Sequence, residues 1–317
     1  MSTNRRHFLR NLGGLAAGVA GLSVFGTESL AMEPSKKLFF KMSLAQWSLH
    51  KALFSKEIDT LDFPGLAKNT YGIDTVEYVN QFFQDKAKDK QYLNQLLSRS
   101  KDHGVKNNLI MIDAEGDICN PDSKERLTAV ENHYKWVDAA KFLGCQSVRI
   151  NMFGTGPKED VRLAGIDGLG RLAEYAAKAG INVLAENHGG YSSDAVWLAS
   201  IVKQVNMKNV GTLPDFTNFC IKREGENFWE GKCIESYDPY KGVKELMPYA
   251  MGVSAKAFEF DAQGFCKVTD YTRMMQIIKD SGFKGYIGIE YEGDQVSEEV
   301  GIKKTKALLE KTGLAVS

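Results

Sequence analysis

A chain of 317 residues with 43% hydrophobic content is long enough to bury one large core, and α/β barrels use this length as a single domain. Forty basic residues against forty acidic ones give a formal net charge of zero. That balance offers no field to steer the protein toward nucleic acid or an anionic membrane, which leaves a small neutral partner as the expectation.

The first thirty residues read as an address. Asn4-Arg5-Arg6-His7-Phe8-Leu9-Arg10 precedes an uncharged stretch over 11–27 rich in Gly, Ala and Leu. The small residues Ser29 and Ala31 then suit signal-peptidase cleavage. The segment resembles a twin-arginine signal in its paired arginines, the Phe-Leu that follows and its weakly hydrophobic core. It is short and glycine-rich beside a membrane span of about 20 residues. The expected organisation is a signal peptide over 1–31 and one barrel domain over 32–317, delivered to the periplasm by twin-arginine export.

From Leu38 onward, short apolar runs alternate with longer amphipathic segments. The runs are 41–47, 75–79, 105–112, 147–152, 181–185, 210–213, 251–257 and 285–289. Their polar tips fall at Trp47, Glu77, Asp113, Asn151, Glu186, Asp215, Ser254 and Glu290, spaced by about 30 to 40 residues, the length of one strand–helix unit. The segments between them carry a repeated stop signal: helices predicted over 87–103, 123–143, 167–179 and 269–281 end at Gly104, Gly144, Gly180 and Gly282. A glycine just past a helix end adopts the left-handed conformation at little cost. Asp122-Ser123 and Ser192-Ser193-Asp194 supply start signals.

Eight such units leave a doubly wound open sheet or a closed (β/α)8 barrel. An open nucleotide-binding sheet needs a glycine-rich turn after its first strand, and Trp47-Ser48-Leu49-His50 has none. The expected fold is therefore α/β, a single (β/α)8 TIM barrel, with its site at the C-terminal strand ends and no nucleotide cofactor. The stretch 220–240 reads as a lid or rim loop. The five cysteines contain no CxxC pair, which argues against a thiolate metal site. Cys220 and Cys233 are the pair close enough to suggest a disulfide in an oxidising compartment, and the odd count leaves a free thiol.

Glu186 ends an apolar strand in the sequence Glu186-Asn187-His188-Gly189-Gly190, Asp215 follows Pro214, and Glu290 closes Gly288-Ile289-Glu290. A carboxylate buried at such a tip has to be paired, hydrogen-bonded or metal-bound. Three of them at one mouth call for a positive charge among them, either a hard cation such as Mg²⁺ or Mn²⁺ or Lys256, which shares strand parity with Ser254. Trp47 could stack on a sugar ring. Arg149 and Asn151 could bind hydroxyls or hold Glu186 in place, His188 could be a hydroxyl ligand or an auxiliary base, Glu77 is a supporting partner, Glu292 is assigned to solvent or the rim, and His103 and His133 to helix surfaces.

These motifs resemble the xylose-isomerase-like barrels, a family that includes tagatose/psicose 3-epimerases, inosose dehydratase, endonuclease IV and many exported proteins called sugar phosphate isomerase/epimerase. The resemblance runs from Ser43-Leu44-Ala45-Gln46-Trp47 through Val76-Glu77-Tyr78, Val148-Arg149-Ile150-Asn151 and Pro214-Asp215-Phe216-Thr217-Asn218 to Gly288-Ile289-Glu290-Tyr291-Glu292-Gly293. It implies a metal held by Glu186, Asp215 and Glu290, with the two glutamates also acting as the acid/base pair. The family's usual fourth ligand is the histidine of His-x-Lys-Asp, and here Ser254-Ala255-Lys256-Ala257 places serine in its position. Asn218 stands where sugar epimerases often have a second histidine. With Ser254 in the histidine's position, a Mn²⁺ or Mg²⁺ ion is weakly held, completed by water or another residue, or absent, and the expected substrate-binding set is Trp47, Glu77, Arg149, Asn151, His188, Asn218 and Lys256.

The expected function is proton abstraction next to the carbonyl of a non-phosphorylated sugar or keto-sugar, by an isomerase, epimerase or 3-keto-glycoside lyase. A catalytically silent carbohydrate-binding barrel is the alternative, and Ser254 is its best argument. A DNA-repair endonuclease would need a histidine-rich metal site and a basic groove, and the chain has five histidines and no net charge. The expected partner is a small carbohydrate, with no nucleic acid and no membrane after signal cleavage; a homo-oligomer is left open.

Overall fold

The structure, a computed structural model, describes residues 37–225 and 230–317, so the segment read as a signal peptide lies outside the described residues. Every predicted run becomes a strand: β1 (Lys41–Ala45), β2 (Thr75–Val79), β3 (Lys106–Ile112), β4 (Ser147–Asn151), β5 (Asn182–Glu186) and β6 (Val210–Leu213) come first. A hairpin of β7 (Cys220–Arg223) and β8 (Cys233–Ser236) follows, and then β9 (Val253–Ala257) and β10 (Tyr286–Tyr291). The eight long-sheet strands are parallel in the order β6-β5-β4-β3-β2-β1-β10-β9. Backbone bonds from Met251 N to Thr212 O (3.0 Å) and from Ser254 N to Pro214 O (2.9 Å) join its two ends into a barrel. That closure makes Asp215 and Ser254 lateral neighbours.

The helices around the barrel are α1 (His50–Phe54), α2 (Phe63–Tyr71), α3 (Lys90–Asp102), α4 (Ser123–Leu143), α5 (Lys158–Ala179), α6 (Ala195–Val205), α7 (Pro239–Leu246), α8 (Tyr271–Asp280) and α9 (Glu298–Val316). Their ends follow local chemistry. The Asp122 carboxylate accepts the backbone N–H groups of Lys124 and Glu125, and Asp194 does the same for Val196 and Trp197, satisfying donors that a helix N-terminus leaves over. Gly144 and Gly180 sit at φ 76° and 71°, the left-handed stop predicted for them. Helix α5 starts at Lys158 rather than at 167 because its glycines serve packing: a Cβ on Gly168 would lie 2.0 Å from the Ile118 carbonyl oxygen. No helix among the described residues is long and apolar enough to cross a membrane.

Strand parity divides the interior in two. Val148, Ile150, Val183 and Ala185 face outward into the layer against Trp136, Leu169, Leu172 and Ile201, where each large side chain contributes about 1.5–3 kcal/mol on burial. Inside the barrel, a small apolar cluster of Ala45, Val79, Leu109, Met111, Leu184 and Leu213 shares the space with buried polar groups. In the segment 220–240, expected as a lid or rim loop, the described residues include the antiparallel β7–β8 pair, cross-linked by a Cys220–Cys233 disulfide, and Arg223 of that pair lines the cavity at the C-terminal strand ends. Cross-strand pairing and the disulfide supply an order that short, charged strands do not announce in sequence. Cys119, Cys145 and Cys266 are buried free thiols.

Candidate active site

A cavity of about 630 Å³ opens at the C-terminal strand ends, and Trp47, Asp113, Arg149, His188, Lys256 and Glu290 are among the residues lining it. Glu186, Asp215 and Glu290 converge at the strand ends from β5, the turn after β6, and β10, with exposures of 2%, 0% and 5%; Glu290 lines the cavity, and the other two lie behind its lining. The three predicted tips therefore do meet.

Each carboxylate is held by groups of this chain. Arg149 Nε lies 2.8 Å from Glu186 Oε2 in a charge contact that lacks hydrogen-bond geometry, while Asn218 Nδ2 donates to Glu186 Oε1 at 3.3 Å. Burial, with Glu290 and Asp215 nearby, pushes the Glu186 carboxyl up to about 8 against the pull of Arg149. Asp215 Oδ1 accepts the backbone N–H groups of Thr217 (2.8 Å) and Asn218 (2.9 Å). Burial nevertheless raises its carboxyl above the ordinary range.

Ser254 joins the other two. Its Oγ is 2.7 Å from Asp215 Oδ2 and 2.9 Å from Glu290 Oε2. A hydroxyl has one hydrogen, so only one of these contacts can be its donation, and the other requires a proton on the carboxyl.

Lys256 provides the positive charge. Its Nζ lies 3.1 Å from Glu290 Oε1 and 3.2 Å from Glu292 Oε1, and it donates to Asn218 Oδ1 at 3.5 Å. Burial works against the ammonium form, but Glu290, Glu292, Asp215 and Glu186 together raise it well above the ordinary lysine value. Glu292, expected on the rim, is thus part of the charge cluster, because the strand continues to Tyr291 and the lysine draws the next carboxylate inward.

The second cation is anchored from the side. Arg149 Nη1 donates to Asp113 Oδ1 at 2.6 Å, and Asn151 Nδ2 donates to the same oxygen at 2.7 Å. Burial alone would raise Asp113, but Arg149 overrides it and holds the carboxyl at about 2. His188 Nδ1 is 2.6 Å from Asn151 Oδ1, an oxygen that also accepts from Arg149 at 3.2 Å, so Nδ1 carries the hydrogen. Burial and the two cations lower the His188 value well below the ordinary one, and the ring is neutral.

This arrangement does not fit a divalent ion as it stands. The oxygens that would have to turn toward one are engaged by Arg149, Lys256, Ser254 and backbone N–H groups. Among the described residues no three His, Cys, Asp or Glu side chains converge as metal ligands do.

Of the predicted substrate contacts, Trp47, Arg149, Asn151, His188, Asn218 and Lys256 all border the cavity. Glu77 does not. It lies in the middle of β2, buried below the mouth, where Ser43 Oγ (2.6 Å) and Asn108 Nδ2 (3.0 Å) donate to its Oε1. The strand runs on to Val79, so the residue that reaches the cavity is Gln81, whose Nε2 donates to Asp113 Oδ2 at 3.3 Å. His133, assigned to a helix surface, is 3% exposed and lines the cavity from α4. Asp113 stood among the predicted tips but was given no role; its signal, a carboxylate ending an apolar run, is the one that marked Glu186. Phe153 and Phe258, which also line the cavity, carried no such signal.

Solved structures show the same architecture. An L-ribulose 3-epimerase superposes with a TM-score of 0.66 at 15% identity, covering 87% of this chain and 95% of that one. The IOLI protein, described with a binding zinc atom, gives 0.64 at 16% identity, covering 88% and 99%. A 3-keto-D-glucoside 4-epimerase from E. coli gives 0.57 at 13% identity, covering 86% and 99%. At these identities the likeness establishes the fold. No curated protein matches by sequence. The family profile described as xylose isomerase-like TIM barrel matches residues 66–312, most of the barrel, and the chain belongs to that family.

Proposed function

We propose that the protein is an isomerase, epimerase or lyase that removes the proton next to the carbonyl of a non-phosphorylated sugar or keto-sugar. The observation that carries this reading is the convergence of two buried glutamates at the strand ends, Glu290 lining the cavity and Glu186 set behind Arg149 and Asn218, which line it. Glu290 is ion-paired with Lys256, and Glu186, although in contact with Arg149, is raised by burial to about 8, which suits it to hold a proton. On that ground Glu290 is assigned the base and Glu186 the acid.

In the step this geometry supports, Glu290 takes the proton as the C–H bond breaks, and the electron pair moves into the carbonyl to form an enolate. Arg149 and Lys256, both buried, stabilise the developing oxyanion. Return of a proton from Glu186 to the other face gives the epimer; departure of a β-oxygen substituent gives elimination. Trp47 offers a face for the ring, and Asn151, His188 and Asn218 offer hydrogen bonds to hydroxyls. Both buried cations are already engaged by carboxylates, which speaks against a phosphorylated substrate. A Mn²⁺ or Mg²⁺ ion would have to displace Lys256 or Arg149, so divalent ions are expected to bind weakly. We further place the protein outside the cytoplasm on its 1–31 signal, which N-terminal sequencing of the secreted protein tests.

Incubation with a panel of keto-sugars and 3-keto-glycosides in D₂O, followed by NMR, tests the chemistry. Solvent deuterium is expected at the carbon next to the carbonyl, and not with Glu186→Gln or Glu290→Gln. Ser254 favours a second reading, a silent sugar-binding barrel: binding by wild type without any deuterium incorporation would establish it and sink the first.

A further inference from the structure

Resting on the carbohydrate reading above, we propose that the mouth continues into a second subsite that takes the second ring of a two-ring glycoside. A neighbouring cavity of about 690 Å³ shares Asp117 and Phe153 with the mouth cavity, so the two lie side by side with these residues at their junction. Thr155 of the loop after β4, Tyr191 of the turn after β5, and Lys222 and Glu235 of the β7–β8 hairpin complete its walls.

The walls have the chemistry of a sugar site. Phe153 and Tyr191 supply aromatic rings to the lining, Phe153 also stacking with His188 (centroids 6.0 Å), and aromatic rings pack against the C–H faces of a pyranose. Asp117 and Glu235 accept hydrogen bonds and Lys222 donates them. Two carboxylates in the walls oppose a phosphate or carboxylate group, so the occupant is a neutral, hydroxyl-bearing ring.

The cleft is held in shape before any ligand arrives. Cys119 N donates to Phe153 O at 3.0 Å, and a Cβ on Gly154 would lie 2.4 Å from the Cys119 carbonyl oxygen. The loop after β4 is therefore pressed against the loop after β3, which fixes Phe153 at the junction of the two cavities. On the far side, the Cys220–Cys233 disulfide ties the two hairpin strands that carry Lys222 and Glu235. Walls fixed in this way lower the ordering cost of binding.

The test uses the folded protein with 3-keto-glucose and with a 3-keto-disaccharide. Saturation-transfer NMR is expected to mark protons of both rings of the disaccharide. Thr155→Trp places bulk at an exposed position of the arm and is expected to raise Kd for the two-ring ligand at least tenfold more than for the one-ring ligand. Phe153→Ala is expected to shift the same ratio in the same direction. Saturation confined to the keto ring, or equal changes for both ligands, would overturn the second subsite. Binding to both rings without deuterium incorporation would overturn the enzymatic reading and leave the subsite standing; binding of neither ligand would overturn both.

Discussion

Glu77 and Glu186 are two carboxylates in one barrel, each 2% exposed, with different neutralising devices. Glu77 sits below the mouth among neutral donors, Ser43 and Asn108. Burial, only partly offset by those hydrogen bonds, raises it from 4.5 to about 7. Glu186 sits at the mouth in a cluster that also holds Glu290, Glu292, Asp215, Arg149 and Lys256. The lower region is neutral polar packing and can be exchanged for an amide with little loss. The mouth is a charge assembly, in which removing one member strands the others. That difference separates a structural carboxylate from one poised for proton transfer.

The sharpest way to break this contrast is Lys256→Met, which leaves the buried Glu290 and the half-buried Glu292 without their cation. Unfolding in urea should show a loss of about 3–5 kcal/mol, the cost of breaking a buried ion pair from one side, together with loss of deuterium incorporation. Wild-type stability in this variant would mean that the lysine does not neutralise the mouth.

Glu186→Gln should act on chemistry. Proton exchange is expected to fall by roughly 10²- to 10⁴-fold, the usual contribution of a positioned acid or base, with sugar affinity by calorimetry changed only a few-fold. An exchange rate within twofold of wild type would remove Glu186 from the acid/base pair.

Glu77→Gln tests the lower region through pH. The folded carboxyl is raised above its unfolded value, so its stabilising contribution is complete below pH 4.5 and is lost as pH rises toward about 7. The span corresponds to about 3 kcal/mol at most. The glutamine variant lacks this titration and should gain on wild type across that window in urea unfolding. A constant difference between the two proteins from pH 4.5 to 7 would contradict the assignment.

Ser254→Ala is the mildest change. It removes the hydroxyl between Asp215 and Glu290, and the expected loss is about 1–2 kcal/mol, that of one hydrogen bond to an acidic group. A stability gain would indicate that the pair needs no donor between them.

Much of this was legible in the chain. The apolar runs gave the strands, and glycine stops with aspartate starts gave the helices, because both are local: a left-handed residue or a capping carboxylate acts within a few positions of itself. Glu186, Asp215 and Glu290 were legible as carboxylates that a buried strand end does not tolerate alone. Glu77 was misread because an apolar run shows that a strand exists but not how far it extends past a polar residue; two more residues of β2 moved the tip to Gln81. His133 was misread because helix periodicity reports the face turned to the sheet, and α4 also meets the loop after β3, where the cavity extends to its end.

The sequence by itself determined the alternation of strand and helix, the direction in which the strand tips point and the identity of the acids gathered there, since these follow from residue type and spacing alone. Only the tertiary structure decided what answers their charge. Barrel closure sets Asp215 beside Ser254, and pairing of neighbouring strands sets Ser254 and Lys256 beside Glu290 and Arg149 between Asp113 and Glu186. Those partners lie 36 to 39 residues apart around Ser254, a separation at which pairing is set by strand register rather than by any local preference.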